Sequence, residues 1–484
     1  MSFSSSTRHS PHREPRSRTT GAYRLVRTPP GSVEPPLLDA GQRAVVDHAG
    51  GPLLVLAGPG TGKTTTLVES VTARVNRGAD PARILVLTFS RKAAVELRDR
   101  MAARLGAARG PQATTFHSYC YALVRAHQDA DLFADPLRLL SGPEQDVTVR
   151  DLLAGQLDLE KEGLAHVRWP DELRACLTTR GFADEVRAVL ARSRELGLAP
   201  DALAAFARRT GRPDWSAAAQ FLAEYLDVLD AQGVLDYAEL VHRAVLLAER
   251  PEVSARLAEA YDAVYVDEYQ DTDPAQVRLL HALAGNRVSG GRKRGRGAGL
   301  GGGGGVRGAH AGAASRTGGA HAGAEGHGRG AGGGDGGQER DAGGGRTLVA
   351  FGDPDQSIYT FRGADVNGIL EFPDTFRRAD GTPAPVGVLT TSRRSGSELL
   401  AATRLLTRRM PLTRLPADTV RAHRELHAVR EGGRVETYTY PTASTELDNI
   451  ADLLRRAHLE DGVPWREMAV LVRAGGRSLP AVRR

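Results

Sequence analysis

Leu53-Leu54-Val55-Leu56-Ala57-Gly58-Pro59-Gly60-Thr61-Gly62-Lys63-Thr64 decides how the rest of the chain is read. Four apolar residues in a row have the length of a buried strand, and a glycine-rich turn follows at once. In such a turn backbone N–H groups wrap a polyphosphate, the lysine reaches the β- and γ-phosphates, and the hydroxyl after it ligates Mg²⁺. Ala57, Gly58, Pro59, Gly60, Thr61 and Gly62 would form the cradle, Lys63 would hold the phosphates and Thr64 the metal. A helix predicted over residues 63–77 turns the positive end of its dipole toward the same anion. The stretch departs from the usual phosphate-loop pattern at its first position, where Ala57 replaces glycine. A glycine-rich turn can join a strand to a helix without binding anything. Here, though, strand, Gly-Lys-Thr and helix stand in the order that nucleotide binding needs.

The flanking sequence continues the alternation. Strands at 53–56 and 84–88 and helices at 63–77 and 91–105 predict successive β-α units of a parallel sheet, an α/β fold. Residues 114–233 change character: Ala, Leu and Arg recur at helical spacing between turn signals such as Ser141-Gly142-Pro143, which predicts an all-helical insertion. The sheet resumes with short apolar strands at 263–266 and 347–351. Between them, residues 287–346 are Gly/Ala/Arg/His low-complexity sequence with too few large apolar side chains to offset ordering, and a disordered loop is expected. A second α/β unit is expected from residue 385, with strands near 386–389, 434–438 and 468–472. The resulting organisation is a basic disordered tail (1–36), a first α/β domain in two parts (37–113 and 236–384), a helical insertion (114–235), and part of a second α/β domain (385–484).

A chain of 484 residues has room for two to four such domains. The net charge of +6 is carried by arginine, since Lys63, Lys92, Lys161 and Lys293 are the only lysines; codon bias explains this as well as nucleic-acid binding does. Cys120 and Cys176 make neither a disulfide framework nor a metal-ligand spacing, which fits a reducing cytoplasm. The N-terminal stretch lacks the apolar segment of a secretory signal. No apolar run approaches the roughly 18 residues that cross a bilayer, so no membrane association is expected.

A phosphate loop needs an acid to order the metal and a base to activate water. Val264-Tyr265-Val266-Asp267-Glu268 offers both at a strand end: Asp267 to hold Mg²⁺ beside Thr64, and Glu268 to polarise the attacking water. With these residues the chain resembles a UvrD/Rep-type superfamily 1 DNA helicase, the group that includes the RecB and AdnAB-type recombination motors. Leu38-Asp39-Ala40-Gly41-Gln42 resembles the glutamine motif, and Leu87-Thr88-Phe89-Ser90-Arg91-Lys92-Ala93-Ala94 the second motif. Thr115-Phe116-His117-Ser118 resembles a DNA-contacting motif, and residues 266–272 resemble the Asp-Glu-x-Gln-Asp box. Residues 352–364, Gly-Asp-Pro-Asp-Gln-Ser-Ile-Tyr-Thr-Phe-Arg-Gly-Ala, are the most diagnostic of all.

The resemblance implies a RecA-like fold, ATP and Mg²⁺ as cofactors, and single-stranded and duplex DNA as partners. By it Gln42 reads adenine, Gln356 senses the γ-phosphate, and Phe89, Phe116, His117, Tyr359, Phe361 and Arg362 meet DNA. Aromatic faces stack on any base, which suits a strand bound without regard to sequence. Leu389-Thr390-Thr391-Ser392-Arg393-Arg394-Ser395 aligns with the fourth motif. Arg394 then stands where the family's γ-phosphate arginine does, and Arg393 replaces the tyrosine that stacks on the base; a guanidinium also stacks on a π-face. Two further family motifs do not follow Leu471-Val472-Arg473, so the chain is expected to be cut short, or to be completed by a partner motor or nuclease subunit. The implied activity is ATP-driven 3′→5′ movement on DNA in repair or recombination. The alternatives are a non-catalytic subunit that binds ATP and DNA or an inactive fragment and, more remotely, an unrelated phosphate-loop kinase.

Overall fold

The computed structural model describes residues 34–106, 110–127, 137–285, 346–358, 365–472 and 482. The expected tail and most of the glycine-rich segment lie outside these residues, as do Tyr359, Phe361 and Arg362. The described chain forms two compact units, one of residues 1–55, 64–352 and 357–387, the other of residues 56–63, 353–356 and 388–484.

The first unit is built on a six-stranded sheet. Its strands are β1 (Pro52–Ala57), β2 (Ile84–Thr88) and β3 (Gln112–Thr115), followed after a two-stranded pair, β4 (Arg138–Leu139) with β5 (Val234–Leu235), by β6 (Ala263–Val266), β7 (Thr347–Gly352) and β8 (Val386–Leu389). The order across the sheet is β3-β2-β6-β7-β1-β8, and the pairs β2–β3, β2–β6 and β6–β7 run parallel. Every residue of β1, β2, β6 and β7 is buried. Continuous apolar runs of this kind belong to parallel sheets covered on both faces, so the expected α/β class holds.

Polar N-caps turn the chain from strand edge into helix. Ser90 caps helix Arg91–Leu105 and Thr115 caps helix Phe116–Ala126, each accepting the backbone N–H three residues on. The helices between residues 142 and 231 gather around their own core, in which Leu153, Phe221, Leu222 and Tyr225 are each no more than 1% exposed. The helical pattern in the sequence thus marks a body that buries its own apolar face.

The second unit pairs β9 (Thr391–Gly396) in parallel with β10 (His427–Arg430), with helices Ser397–Thr407, Ala417–Arg424 and Ala443–Leu459. Three sequence expectations are corrected here. Residues 386–389 do form a strand, but it joins the first sheet beside β1. Residues 434–438 and 468–472 form no strand. Val435 and Tyr438 stand more than half exposed, and without a paired neighbour an alternating apolar pattern has nothing to pack against. Finally, Gln112–Thr115, read partly as the start of the helical region, is the edge strand β3.

Candidate functional site

Strands β2, β3 and β6 run parallel, so their carboxyl ends lie along one edge of the sheet, where α/β proteins place ligand sites. Phe89 follows β2, Phe116 and His117 follow β3, and Asp267 and Glu268 follow β6. Asp267 is 5% exposed, and its backbone N–H donates to the Leu87 carbonyl at 2.8 Å, which fixes the start of the acidic pair to the neighbouring strand. Glu268 has φ 55° and ψ 44°, and no other non-glycine described residue has positive φ. A side chain in this region is strained, and such strain gathers at working sites. The Gln270 amide donates to the Glu268 carboxylate at 2.8 Å, holding it in place.

The same box organises the chain that follows β7. The Ser357 hydroxyl donates to the Gln270 carbonyl at 3.3 Å, and the Asp365 N–H donates to the Thr272 carbonyl at 3.3 Å. At Gly352 an added Cβ would sit 2.6 Å from Ile369 Cδ1 and 2.9 Å from Gln270 Oε1, so a larger residue would force these side chains to move where β7 ends against the box.

Within the second unit, the glycine-rich loop and β9 are in close contact. The Arg393 N–H donates to the Gly60 carbonyl at 2.8 Å, and the Ser392 hydroxyl donates to the Pro59 carbonyl at 2.9 Å. Gly60 has φ 74°, and a Cβ there would meet Arg394 Cβ at 2.6 Å. The Thr61 hydroxyl closes the loop on the Gly58 carbonyl at 2.8 Å. Arg394 is exposed beside this turn, lying in the strand and not at a helix start, since the next helix begins at Ser397.

Gln356 is exposed, and its amide donates to Asp353 at 2.6 Å. Sequence reasoning missed the partners of this stretch: the His423 imidazole lies 3.0 Å from Asp353, and Arg424 grips both oxygens of Asp355 at 2.6 and 2.8 Å. Asp353, Asp355 and His423 are close enough together to hold a cation, but the Arg424 guanidinium already brings positive charge to Asp355. Nothing in the pattern around His423 distinguishes it from an ordinary helix residue.

Gln42 is 2% exposed and part of a capping box: its Oε1 accepts the Asp39 N–H at 3.1 Å, while its own N–H donates to Asp39 at 2.8 Å. Reading a base with both ends of the amide would require Gln42 to release this cap.

A groove of about 1280 Å³ opens in the first unit, with Phe89, His117, Tyr121, Tyr237, Arg91 and Arg138 on its walls. It is larger than most small-ligand pockets and suits a polymer. His117 and Tyr237 meet edge to face, their centroids 5.2 Å apart. Burial, with Arg91 nearby, lowers the His117 pKa, so the ring is neutral at pH 7. Phe116, by contrast, is 3% exposed and packed in the core as the first residue of its helix. Alternate residues at a strand-to-helix junction face opposite ways, and here His117 takes the groove. Tyr121, Arg138 and Tyr237 were not singled out from the sequence. The available signal was Asp236-Tyr237, an N-cap followed by a large aromatic in the first helical turn.

A parallel sheet with a glycine-rich loop after β1 and an Asp-Glu pair after β6 defines an α/β phosphate-loop protein. The model of the UvrD/REP helicase N-terminal domain matches residues 38–289 and 339–377, more than half of the chain, and the chain belongs to that family. It is 27% identical over 350 residues to ATP-dependent DNA helicase UvrD1 of Mycobacterium leprae, covering 70% of this chain and 36% of that protein. It is 26% identical over 443 residues to DNA helicase II of Escherichia coli (90% and 48%), and 25% over 448 residues to ATP-dependent DNA helicase PcrA of Leuconostoc citreum (90% and 47%). The chain thus spans about half or less of the length of these relatives. No helix among the described residues is long and apolar enough to cross a membrane.

Proposed function

We propose that this chain is the motor part of an ATP-dependent DNA helicase that moves 3′→5′ along single-stranded DNA in repair or recombination. One observation carries the reading: the Asp267-Glu268 pair and the ring-lined groove holding Phe89 and His117 grow from the carboxyl ends of neighbouring parallel strands. Movement of one strand end is then felt at the next through shared backbone hydrogen bonds, which supplies a short physical link between phosphate chemistry and grip on DNA. The names of the relatives, all DNA helicases, support it.

In this reading the loop from Ala57 to Gly62 cradles the triphosphate of ATP and Lys63 neutralises it. The Thr64 hydroxyl and Asp267 carboxylate are hard oxygen donors that fit Mg²⁺, which when bound offsets charge on the phosphate oxygens. Glu268 takes the proton of the attacking water. Arg394 meets charge that develops on the γ-phosphate, Gln356 senses that phosphate, and Gln42 and Arg393 address the base. Phe89, His117, Tyr121 and Tyr237 stack on bases of a single strand, joined by Tyr359, Phe361 and Arg362 on the family pattern. Residues 37–113 and 236–384 form the first motor domain, residues 114–235 its insertion, and residues 385–484 part of a second. A cytoplasmic location, duplex DNA as a further substrate, and a partner motor or nuclease subunit complete the proposal.

The test is steady-state phosphate release with and without single-stranded DNA. Stimulation by DNA that disappears in Lys63→Ala supports the reading. Turnover that DNA leaves unchanged, or that survives in Lys63→Ala, counts against it. Binding of ATP and DNA with no turnover would instead favour a non-catalytic subunit.

A further inference from the structure

The turn that ends helix Ala417–Arg424 touches two parts of the proposed nucleotide machinery at once. An added Cβ on Gly58 of the glycine-rich loop would lie 2.9 Å from Leu426 Cδ1 and 3.7 Å from the His423 carbonyl oxygen, so this turn packs on the loop. The His423 imidazole reaches Asp353 at 3.0 Å, and Arg424 holds Asp355. His423 and Asp353 are 2% and 1% exposed. No step of phosphate transfer or of DNA contact calls on His423.

A buried carboxylate keeps its place through the donors around it. The Asp353 Oδ1 accepts the Asp355 N–H at 3.0 Å and faces His423 Nε2; because a carboxylate only accepts, the ring presents its N–H there. Oδ2 accepts the Gln356 amide at 2.6 Å. Gln356 itself is exposed, and a long exposed side chain ordinarily samples many rotamers. Here the amide is anchored by its nitrogen, since turning it over would set its oxygen against the carboxylate. The second N–H of the amide then serves another acceptor, such as a phosphate oxygen. Gln356 is followed by Ser357, whose hydroxyl donates to the Gln270 carbonyl in the acidic box.

We propose that His423 is a positioning residue: it fixes the Asp353 carboxylate, which in turn aims the Gln356 amide at the γ-phosphate, so that grip on DNA differs between triphosphate and diphosphate states. The proposal rests on the reading of Gln356 as the γ-phosphate sensor. Without the imidazole, a buried carboxylate loses one of its donors and turns, and the amide bound to it turns too. Loss of the ring therefore costs discrimination between nucleotides, while nucleotide binding itself is left to the glycine-rich loop and Lys63.

Anisotropy titrations of the full chain with a labelled oligonucleotide of about 20 thymidines, at one salt concentration, compare affinity in saturating β,γ-imido-ATP and in saturating ADP. The ratio of the two affinities measures coupling without turnover, and the unaltered chain is expected to show a difference of about 5-fold or more. Gln356→Ala should bring the ratio toward one, and His423→Leu should do the same. His423→Gln places an amide donor at the reach of Nε2 and should restore the ratio. A merely structural role would lower thermal stability yet leave the ratio alone. Should His423→Leu fail to fold, His423→Asn, whose amide is too short to reach Asp353, makes the same comparison. A ratio unchanged in the variants that lose the donor, or not restored by glutamine, would overturn the positioning role and leave the motor reading standing. A loss at His423 that Gln356→Ala does not share would overturn the path through Gln356 and its role as sensor. Equal affinity in both nucleotides, or no DNA binding, in the unaltered chain would overturn the coupling and the inference together.

Discussion

Glu268 sits in a backbone conformation that an L-residue adopts only under constraint, with Gln270 holding its carboxylate. A conformation of that kind costs stability, which accords with the role proposed for the side chain. Glu268→Gln should keep nucleotide affinity and lower DNA-stimulated turnover by about 100-fold or more, since a general base contributes about that much. Parallel nucleotide-binding and phosphate-release assays separate the two. Gly60 makes the complementary case, where the residue must be absent rather than present. Its φ of 74° and the 2.6 Å approach to Arg394 Cβ leave no room for a methyl group. Gly60→Ala should lower stability by more than about 1 kcal/mol in urea unfolding. A variant with an unchanged midpoint would show that loop and strand do not meet in solution.

Helix Pro274–Ala284 begins at Asp273, whose carboxyl caps it from within a cavity. Because its pKa in the fold, about 7, lies above the ordinary carboxyl value, the native state holds a proton there that the unfolded chain gives up. Its contribution is present at low pH and is lost as pH rises from about 4 through about 7, with a slope approaching 1.4 kcal/mol per pH unit. His242 acts in the opposite sense. Burial and Arg194 lower it to about 4, so its contribution is present above about 6.5 and is lost as pH falls toward 4. The Asp273 effect is therefore read from the difference between the unaltered chain and Asp273→Asn, in which the other titrating groups cancel. That difference should shrink steadily between pH 4 and 7; a constant difference would mean that Asp273 is ionised throughout.

Helix Ala417–Arg424 is tied to residues 353–356 by a buried contact of His423 with Asp353 and a partly buried one of Arg424 with Asp355. His423→Ala is expected to cost roughly 1–3 kcal/mol by thermal or urea melting. Strands were legible in the sequence where both faces are buried, because continuous runs such as Ile84–Thr88 need no partner pattern to be recognised. They were not legible at residues 434–438, where the same alternation stays in solvent. The phosphate loop and acidic pair could be read because their chemistry fixes residue types at fixed spacing. Phe116, His423 and Tyr237 could not, since facing depends on packing that spacing leaves open.

For the molecule as a whole, the proposed function joins a phosphate site signalled by local motifs to a groove, proposed to hold DNA, whose lining runs from Phe89 to Tyr237. Parallel strands β2, β3 and β6 bring their ends to one edge, and the proposed coupling runs along it from Asp267 to Phe89 and His117. The pairing between Tyr237 and His117 extends that edge to helix Tyr237–Ala248. Tyr237→Ala should weaken binding of an oligothymidine by about 1–3 kcal/mol in anisotropy titrations while leaving nucleotide affinity in the absence of DNA unchanged. The decisive measurement is the rate of phosphate release by the full chain, titrated with single-stranded DNA, alongside Lys63→Ala and Glu268→Gln. A rate that rises with DNA to saturation, and is abolished in both variants, is the expected result. A rate indifferent to DNA, or equal in the variants and the unaltered chain, would contradict the coupling of hydrolysis to DNA.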